Sequence, residues 1–128
     1  MQFSEATQFS EGLAAVRIGD ATTGMWGFID KRGTLVITPQ FGEAYQFAEG
    51  LAAVRIGDWA AGKWGYINKQ GTMVINPQFE DAKEFSDGLA AVQMGKRYGY
   101  TDSDGKIVIN PQFERANSFS EGLAGIRM

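Results

Sequence analysis

The side chains that most often carry catalysis are missing from this sequence. Its 128 residues include no cysteine and no histidine. A Ser-His-Asp or Cys-His nucleophile, a zinc site built from the usual ligands and a proton shuttle at neutral pH are therefore all excluded. No disulfide can form. Any acid–base chemistry would have to come from carboxylates.

The carboxylates do not form a promising catalytic or metal-binding group. Glycoside hydrolysis needs two acids across one bond, and a calcium loop needs several oxygen ligands at set spacing. Asp102 and Asp104 are close in sequence but lie in a predicted turn. Most other acids recur in every repeat described below, whereas a catalytic pair should break the repeat. We therefore expect no enzymatic activity, no metal site and no cofactor.

Aromatic side chains are the remaining candidates, because their rings can stack on sugars or on peptide groups. Trp26, Trp64 and Tyr98 occupy equivalent repeat positions and could form a row of binding platforms, although recurrence at fixed phase favours packing between repeats. Trp59 lies in a loop bounded by glycines, and neither Trp59 nor Tyr45 recurs in the other repeats. These five aromatics are the candidate ligand-binding residues.

Three polar positions also recur along the chain. The first holds an acid in each copy: Glu11, Glu49, Asp87 and Glu121. The second holds Arg17, Arg55, Gln93 and Arg127. The third holds Gln2, Gln40, Gln78 and Gln112. The charged columns could hold a ligand, but polar strand faces and turn acids paired between units are the favoured interpretation. A buried glutamine column would form an amide ladder between units.

Charge and hydropathy exclude two classes of partner. The net charge is −3 and the charges are scattered, so the basic surface that nucleic-acid binding requires is missing. No run of 18 apolar residues occurs, which excludes a membrane-spanning helix. The first residues carry no signal peptide, so a complete chain of this sequence would be cytoplasmic.

One segment recurs four times and sets the organisation of the chain. Phe-x-acid-Gly-Leu-Ala begins at Phe9, Phe47, Phe85 and Phe119, at spacings of 38, 38 and 34 residues. Residues 9–46 and 47–84 are identical at 24 of 38 positions. We interpret the chain as a single repeat domain, 1–128. Its units are a partial repeat 1–8, repeat 1 at 9–46, repeat 2 at 47–84, repeat 3 at 85–118 and a partial repeat 119–128.

Each unit carries the signature of a β-hairpin. Asp or Asn opens and Gly closes the four-residue turns at 30–33, 68–71 and 102–105, which fits a type I turn followed by a glycine bulge. Leu-Ala-Ala-Val predicts another strand, entered through a glycine that needs either a positive φ or a close backbone approach. We expect a meander of three strands per unit, with a proline ending the last strand. The linking segment 77–85 suits one helical turn or an irregular arc.

A unit of this size cannot bury its own apolar face, so neighbouring units must share a core. The glycine between two aromatics in Trp64-Gly65-Tyr66 lets a ring or backbone lie on the strand. The predicted fold is therefore all-β: a tandem array of short antiparallel hairpin or meander units, stacked with a continuous core. The array could be solenoid-like or curled into a closed ring.

The ordered motifs Phe-x-Glu-Gly-Leu-Ala-Ala-Val, Trp-Gly-Tyr-Ile-Asn and Val-Ile-x-Pro-Gln-Phe resemble those of the WG β-repeat family, also called KWG repeats. Lys63-Trp64-Gly65 matches that name, whereas Arg97-Tyr98-Gly99 departs from it. The resemblance spans the whole chain. It implies a β-repeat module of mostly bacterial type that binds other molecules, and it supplies no catalytic residue.

Two functions follow as hypotheses. The first is a non-enzymatic module that binds a protein or a glycan through loop aromatics, around Trp59 and Thr22-Thr23. The second is self-assembly, because the ends of a repeat stack expose apolar seams that could meet further copies of the chain.

Overall fold

A computed structural model describes residues 5–19, 25–58, 61–113, 115–116 and 126–127. These residues form strands and turns and include no helix, which confirms the all-β prediction. The strands are β1 Glu5–Ala6, β2 Ala14–Ile18, β3 Met25–Ile29, β4 Leu35–Phe41, β5 Glu43–Ala44, β6 Ala52–Ile56, β7 Lys63–Ile67, β8 Met73–Phe79, β9 Asp81–Ala82, β10 Leu89–Met94, β11 Arg97–Asp102, β12 Ile107–Phe113, β13 Arg115–Ala116 and β14 Ile126–Arg127.

The turns between β3 and β4, β7 and β8, and β11 and β12 have the predicted chemistry. In the second of them, Asn68 Oδ1 accepts hydrogen bonds from the amides of Gln70 and Thr72, both at 3.0 Å. Gly71 closes the turn at φ 83° and donates its amide to Asn68 O at 3.0 Å. Asp30 and Asp102 accept the equivalent bonds. A short polar first residue and a left-handed glycine therefore close all three hairpins.

A second, tighter turn introduces each Leu-Ala-Ala-Val segment. Ala48 and Leu51 exchange both backbone hydrogen bonds, at 2.9 and 3.1 Å, across a two-residue loop. Both loop residues are left-handed: φ is 53° at Glu49 and 82° at Gly50. This confirms the expected positive φ of the glycine. The positive φ of the acid, which has a Cβ and is rarely left-handed, was not foreseen.

Three antiparallel sheets follow one another along the chain, and each has four strands in sequential order. They contain β1 to β4, β5 to β8 and β9 to β12, and a two-stranded sheet of β13 and β14 comes last. The expected meander of three strands is extended by a two-residue strand from the linking segment, which pairs Ala44 with Val54 and Ala82 with Val92. That segment is an irregular arc and contains no helical turn. Each sheet therefore begins before the Phe-x-acid-Gly motif of its repeat.

The prediction that proline ends the last strand is wrong, because β8 continues through Pro77 to Phe79. Trp64 pairs with Phe79 but Tyr66 pairs with Ile75, so the β8 backbone bulges between these pairs. A Cβ on Gly65 would lie 2.4 Å from Ile75 O and 2.8 Å from Pro77 N. The glycine thus admits a bulged edge strand, where proline is tolerated because no partner needs its amide.

Consecutive sheets stack and bury their apolar side chains in two shared clusters. The first seam joins the first and second sheets, and the second seam joins the second and third. In the middle sheet, Ala52 and Val54 enter the first seam, whereas Leu51 and Ala53 enter the second. Both faces of β6 are buried, which explains its uninterrupted apolar run. Leu13 and Leu51 are 8% and 9% exposed in equivalent surroundings, as a shared core requires.

Each seam repeats one set of directional contacts. In the first seam, the Phe28 and Phe47 rings meet edge to face at 4.9 Å, and Glu11 Oε1 accepts the Gly50 amide at 2.9 Å. In the second seam, Tyr66 and Phe85 meet at 4.9 Å, and Glu49 Oε1 accepts the Gly88 amide at 2.9 Å. The left-handed acid of one repeat therefore holds the turn of the next.

The predicted glutamine ladder is wrong for Gln40 and Gln78, and the side chains of Gln2 and Gln112 lie outside the described part of the structure. Gln40 and Gln78 are exposed, and their amides donate to the carbonyls of Thr38 and Asn76 within their own strands. Closure of the array into a ring would depend on residues 1–4 and 117–125, which lie outside the described residues.

Candidate functional site

The tryptophans of the recurring aromatic column are packing residues. Trp26 and Trp64 are each 6% exposed and belong to the first and second seams. Tyr98, their counterpart in the third sheet, is half-buried. The two buried indoles stabilise the stack and leave little ring surface for a ligand. The burial of both indoles is what packing between repeats requires, and the row of binding platforms stays a prediction.

Tyr45 is the candidate that combines an aromatic surface with exposure. It follows the short strand β5, donates its amide to Ala53 O at 2.9 Å, and is 38% exposed. Its ring stacks on Trp64, with centroids 4.7 Å apart and planes inclined by 22°. One ring face therefore lies against the indole, while more than a third of the Tyr45 surface is open to solvent.

The next repeat carries a different pair at the same place. Lys83 replaces Tyr45 and Tyr98 replaces Trp64, and the Lys83 Nζ lies 5.9 Å from the centre of the Tyr98 ring. Lys83 Nζ is also 3.7 Å from Asp81 Oδ2, which accepts the Tyr98 hydroxyl at 2.7 Å. The third sheet thus holds a cation over an aromatic ring, beside a carboxylate.

Burial and neighbouring carboxylates act in the same direction on the pKa values of these tyrosines. Burial, and then the carboxylates of Asp81 and Glu43, raises the pKa of Tyr45, while Arg55 acts in the opposite direction. Burial and the hydrogen bond to Asp81 raise the pKa of Tyr98. Both phenols therefore stay neutral well into the alkaline range. We call the group formed by Glu43, Tyr45, Trp64, Asp81, Lys83 and Tyr98 the tyrosine shelf.

Two members of the arginine column, Arg17 and Arg55, bind groups of the protein itself. Arg17 forms an ion pair with Glu5 at 2.9 Å. Arg55 donates its Nε to Gly57 O and its Nη2 to Gly42 O, both at 3.0 Å. The interpretation of a charged column that holds a ligand therefore loses these two guanidinium groups. The acid column is used in the same way, because Glu11 and Glu49 bind turn amides in the seams.

Some of the predicted surface falls on residues whose placement is not described. Trp59 and the pair Thr22-Thr23 lie outside the described residues, so their role as loop contacts stays a prediction. Of the five candidate aromatics, the structure brings Tyr45 and Trp64 into contact, places Tyr98 near them in the next repeat, and puts Trp26 in the first seam.

Sequence reasoning missed Glu43, Asp81 and Lys83 as members of the same group. The signal was present, because Lys83 and Tyr45 are unlike residues at one repeat position. Their relation to Asp81 depends on how far one sheet is offset from the next, which a repeat alignment does not contain.

In the described part of the chain, no three Asp or Glu side chains are grouped so that they could hold a metal ion. No helix there is long and apolar enough to cross a membrane.

Comparison with known proteins identifies one family. The model of the WG containing repeat matches residues 1–20, 26–58, 64–98 and 98–128. No curated protein and no solved structure matches the chain.

Proposed function

The chain belongs to the family of WG-containing repeat proteins, and from that premise we propose that it is a non-enzymatic module that binds a protein or a glycan at the tyrosine shelf. The observation that carries the proposal is Tyr45, an exposed ring stacked on a tryptophan that is itself fixed in a seam. A rigid aromatic surface on a fixed base loses little conformational entropy on binding.

Two features support a binding role over catalysis. The chain has no histidine and no cysteine, so the commonest nucleophiles and proton-transfer groups are lacking. The shelf also sits where repeats differ: position 45 is tyrosine, and its equivalent in the next repeat is Lys83. Residues that only fill the seams recur, whereas a contact for one partner needs to occur once.

Binding is tested by immobilising the wild type and two surface variants and comparing the ligands that each protein captures. Tyr45→Ser removes the exposed ring, whereas Val74→Ser removes an apolar side chain of similar exposure, 43%, at a position that is valine in all three repeats. Each immobilised protein is presented to extracts of the native host and to an array of purified glycans. We expect the wild type and Val74→Ser to retain the same ligand and Tyr45→Ser to lose it. Equal retention by all three would overturn the assignment of the shelf.

A second candidate function, self-assembly, is favoured by Phe9. This residue is 46% exposed, whereas its equivalents Phe47 and Phe85 are 0% and 3% exposed because each packs against the preceding sheet. Another copy of the chain could cover the ring. Sedimentation velocity over a wide concentration range tests this: association that Phe9→Ser abolishes supports it, and a monomer at every concentration rejects it.

A further inference from the structure

One half of the tyrosine shelf already holds a cation against an aromatic ring. In the third sheet, the Lys83 ammonium lies over the Tyr98 ring and near the Asp81 carboxylate. The second sheet has an aromatic pair at the same place, Tyr45 on Trp64, and no cation of its own at position 45. The repeat that supplies a ring in place of the lysine therefore offers an aromatic face to a cation from elsewhere.

The charges near Tyr45 favour a positive ligand. Glu43 lies two residues before Tyr45 on the same edge of the sheet, and Asp81 comes from the next sheet. Both carboxylates raise the pKa of the Tyr45 phenol, so both act on the ring through space. The opposing cation is Arg55, whose guanidinium donates to the carbonyls of Gly42 and Gly57. Arg55 therefore donates to backbone carbonyls, whereas both acids place negative charge near the ring. The Lys83 ammonium, 3.7 Å from Asp81 Oδ2, offsets part of that charge.

We propose that the tyrosine shelf is a docking site for an arginine side chain of a protein partner, with the guanidinium stacked on Tyr45 and attracted by the charges of Glu43 and Asp81. Arginine fits better than lysine because its planar group stacks on a ring while its edge donates hydrogen bonds to carboxylates. The inference rests on the proposed binding function and names its ligand class. It also selects protein over glycan, because a neutral sugar can donate hydroxyl hydrogen bonds to the two acids but gains no charge attraction from them.

The test uses the whole chain and short peptide probes. A tetra-arginine amide is titrated into the 15N-labelled protein, and amide chemical shifts are followed. Tetra-citrulline, which has the same shape without the charge, and tetra-lysine serve as comparison probes, and cellotetraose serves as a glycan. We expect saturable shifts centred on residues 43–45 and 81–83, strongest for tetra-arginine.

Variants separate the shelf from general attraction between a basic peptide and an acidic protein. Tyr45→Leu keeps the net charge and an apolar side chain but removes the π face, so we expect tetra-arginine to bind at least about fivefold more weakly. Tyr45→Phe keeps the π face and should bind like the wild type. Glu43→Gln should weaken tetra-arginine and leave cellotetraose unaffected. The spectrum of each variant shows whether it is folded.

Three results would overturn the proposal: unchanged tetra-arginine binding in Tyr45→Leu, equal binding of tetra-citrulline, or saturable shifts at the shelf with cellotetraose and none with tetra-arginine. Any of these would leave the binding function standing, provided that Tyr45→Ser still loses the ligand retained by the wild type. If instead Tyr45→Ser retains every ligand, the binding function itself fails.

Discussion

Some side chains in the seams are fully buried and also form a hydrogen bond. Tyr66 shows this most clearly, because it is fully buried and its hydroxyl donates to Lys83 O at 2.6 Å. Its counterpart in the first seam is Phe28, which meets Phe47 in the same geometry without a hydroxyl. Burial, aided by the Asp81 carboxylate, raises the pKa of Tyr66 above its ordinary value of 10.0.

The raised pKa of Tyr66 predicts how stability depends on alkaline pH. Below about pH 10 the phenol is protonated in both states, so its contribution is fully present. As pH rises further, the unfolded chain loses the proton while the folded chain keeps it. The free energy of unfolding therefore falls by at most about 1.4 kcal/mol per pH unit from this group, until the folded phenol ionises.

Tyr66→Phe is the matched variant for this prediction. It places phenylalanine at the position that Phe28 occupies in the first seam. Loss of the hydroxyl hydrogen bond should lower the free energy of unfolding by about 1 kcal/mol at neutral pH. Above about pH 10, that free energy should decline less steeply than in the wild type. Urea unfolding between pH 7 and pH 12 measures both. Tyr98 adds a decline of the same sign in both proteins. Identical slopes in wild type and variant would show that Tyr66 does not titrate as proposed.

At the scale of the secondary-structure element, the last strand of each four-stranded sheet contains β-bulges. In β8, the bulge lies over Gly65, and the exposed Val74 occupies a second irregularity between the pairs Tyr66–Ile75 and Ile67–Met73. Bulges of this kind bend an edge strand and disrupt its row of free amides and carbonyls, which hinders pairing with another sheet.

A pair of glycine substitutions tests the bulge. Gly65→Ala places a Cβ 2.4 Å from Ile75 O, so backbone must shift, and we expect a loss near the upper end of about 1–3 kcal/mol. In Gly50→Asn the new Cβ meets nothing within 4 Å, and asparagine tolerates the left-handed φ of 82°, so the loss should stay below about 1 kcal/mol. Thermal and urea unfolding give both values. A loss of less than about 1 kcal/mol in Gly65→Ala would mean that the β8 backbone does not approach Gly65 as described.

Sequence reasoning succeeded for features that recur and are local. The hairpin turns at Asn68–Gly71 and the glycine turns at Gly50 follow from backbone chemistry within a few residues. It failed where strands pair with one another. Pro77 was expected to end β8, but Gly65 on the neighbouring strand accommodates a bulge there. That pairing is not visible in the sequence around Pro77. The stack of Tyr45 on Trp64 could not be foreseen, since it depends on the register of β5, β6 and β7.

At the scale of the whole molecule, stability comes from seams that no single repeat can form. Each seam joins an aromatic ring of one sheet to a phenylalanine of the next, and joins a left-handed acid to a turn amide. Such nearest-neighbour contacts make the free energy of unfolding a sum over repeats and interfaces. The tyrosine shelf depends on the same stacking, because Trp64 and Asp81 belong to successive sheets.

The stacking of repeats is tested most directly by the same substitution at two equivalent positions. Phe47→Ala removes a ring that is 0% exposed in the first seam, whereas Phe9→Ala removes its equivalent, which is 46% exposed. In equilibrium urea unfolding at low protein concentration, we expect Phe47→Ala to lose about 3–5 kcal/mol and Phe9→Ala less than about 1 kcal/mol. Equal losses at the two positions would contradict a core shared between neighbouring repeats.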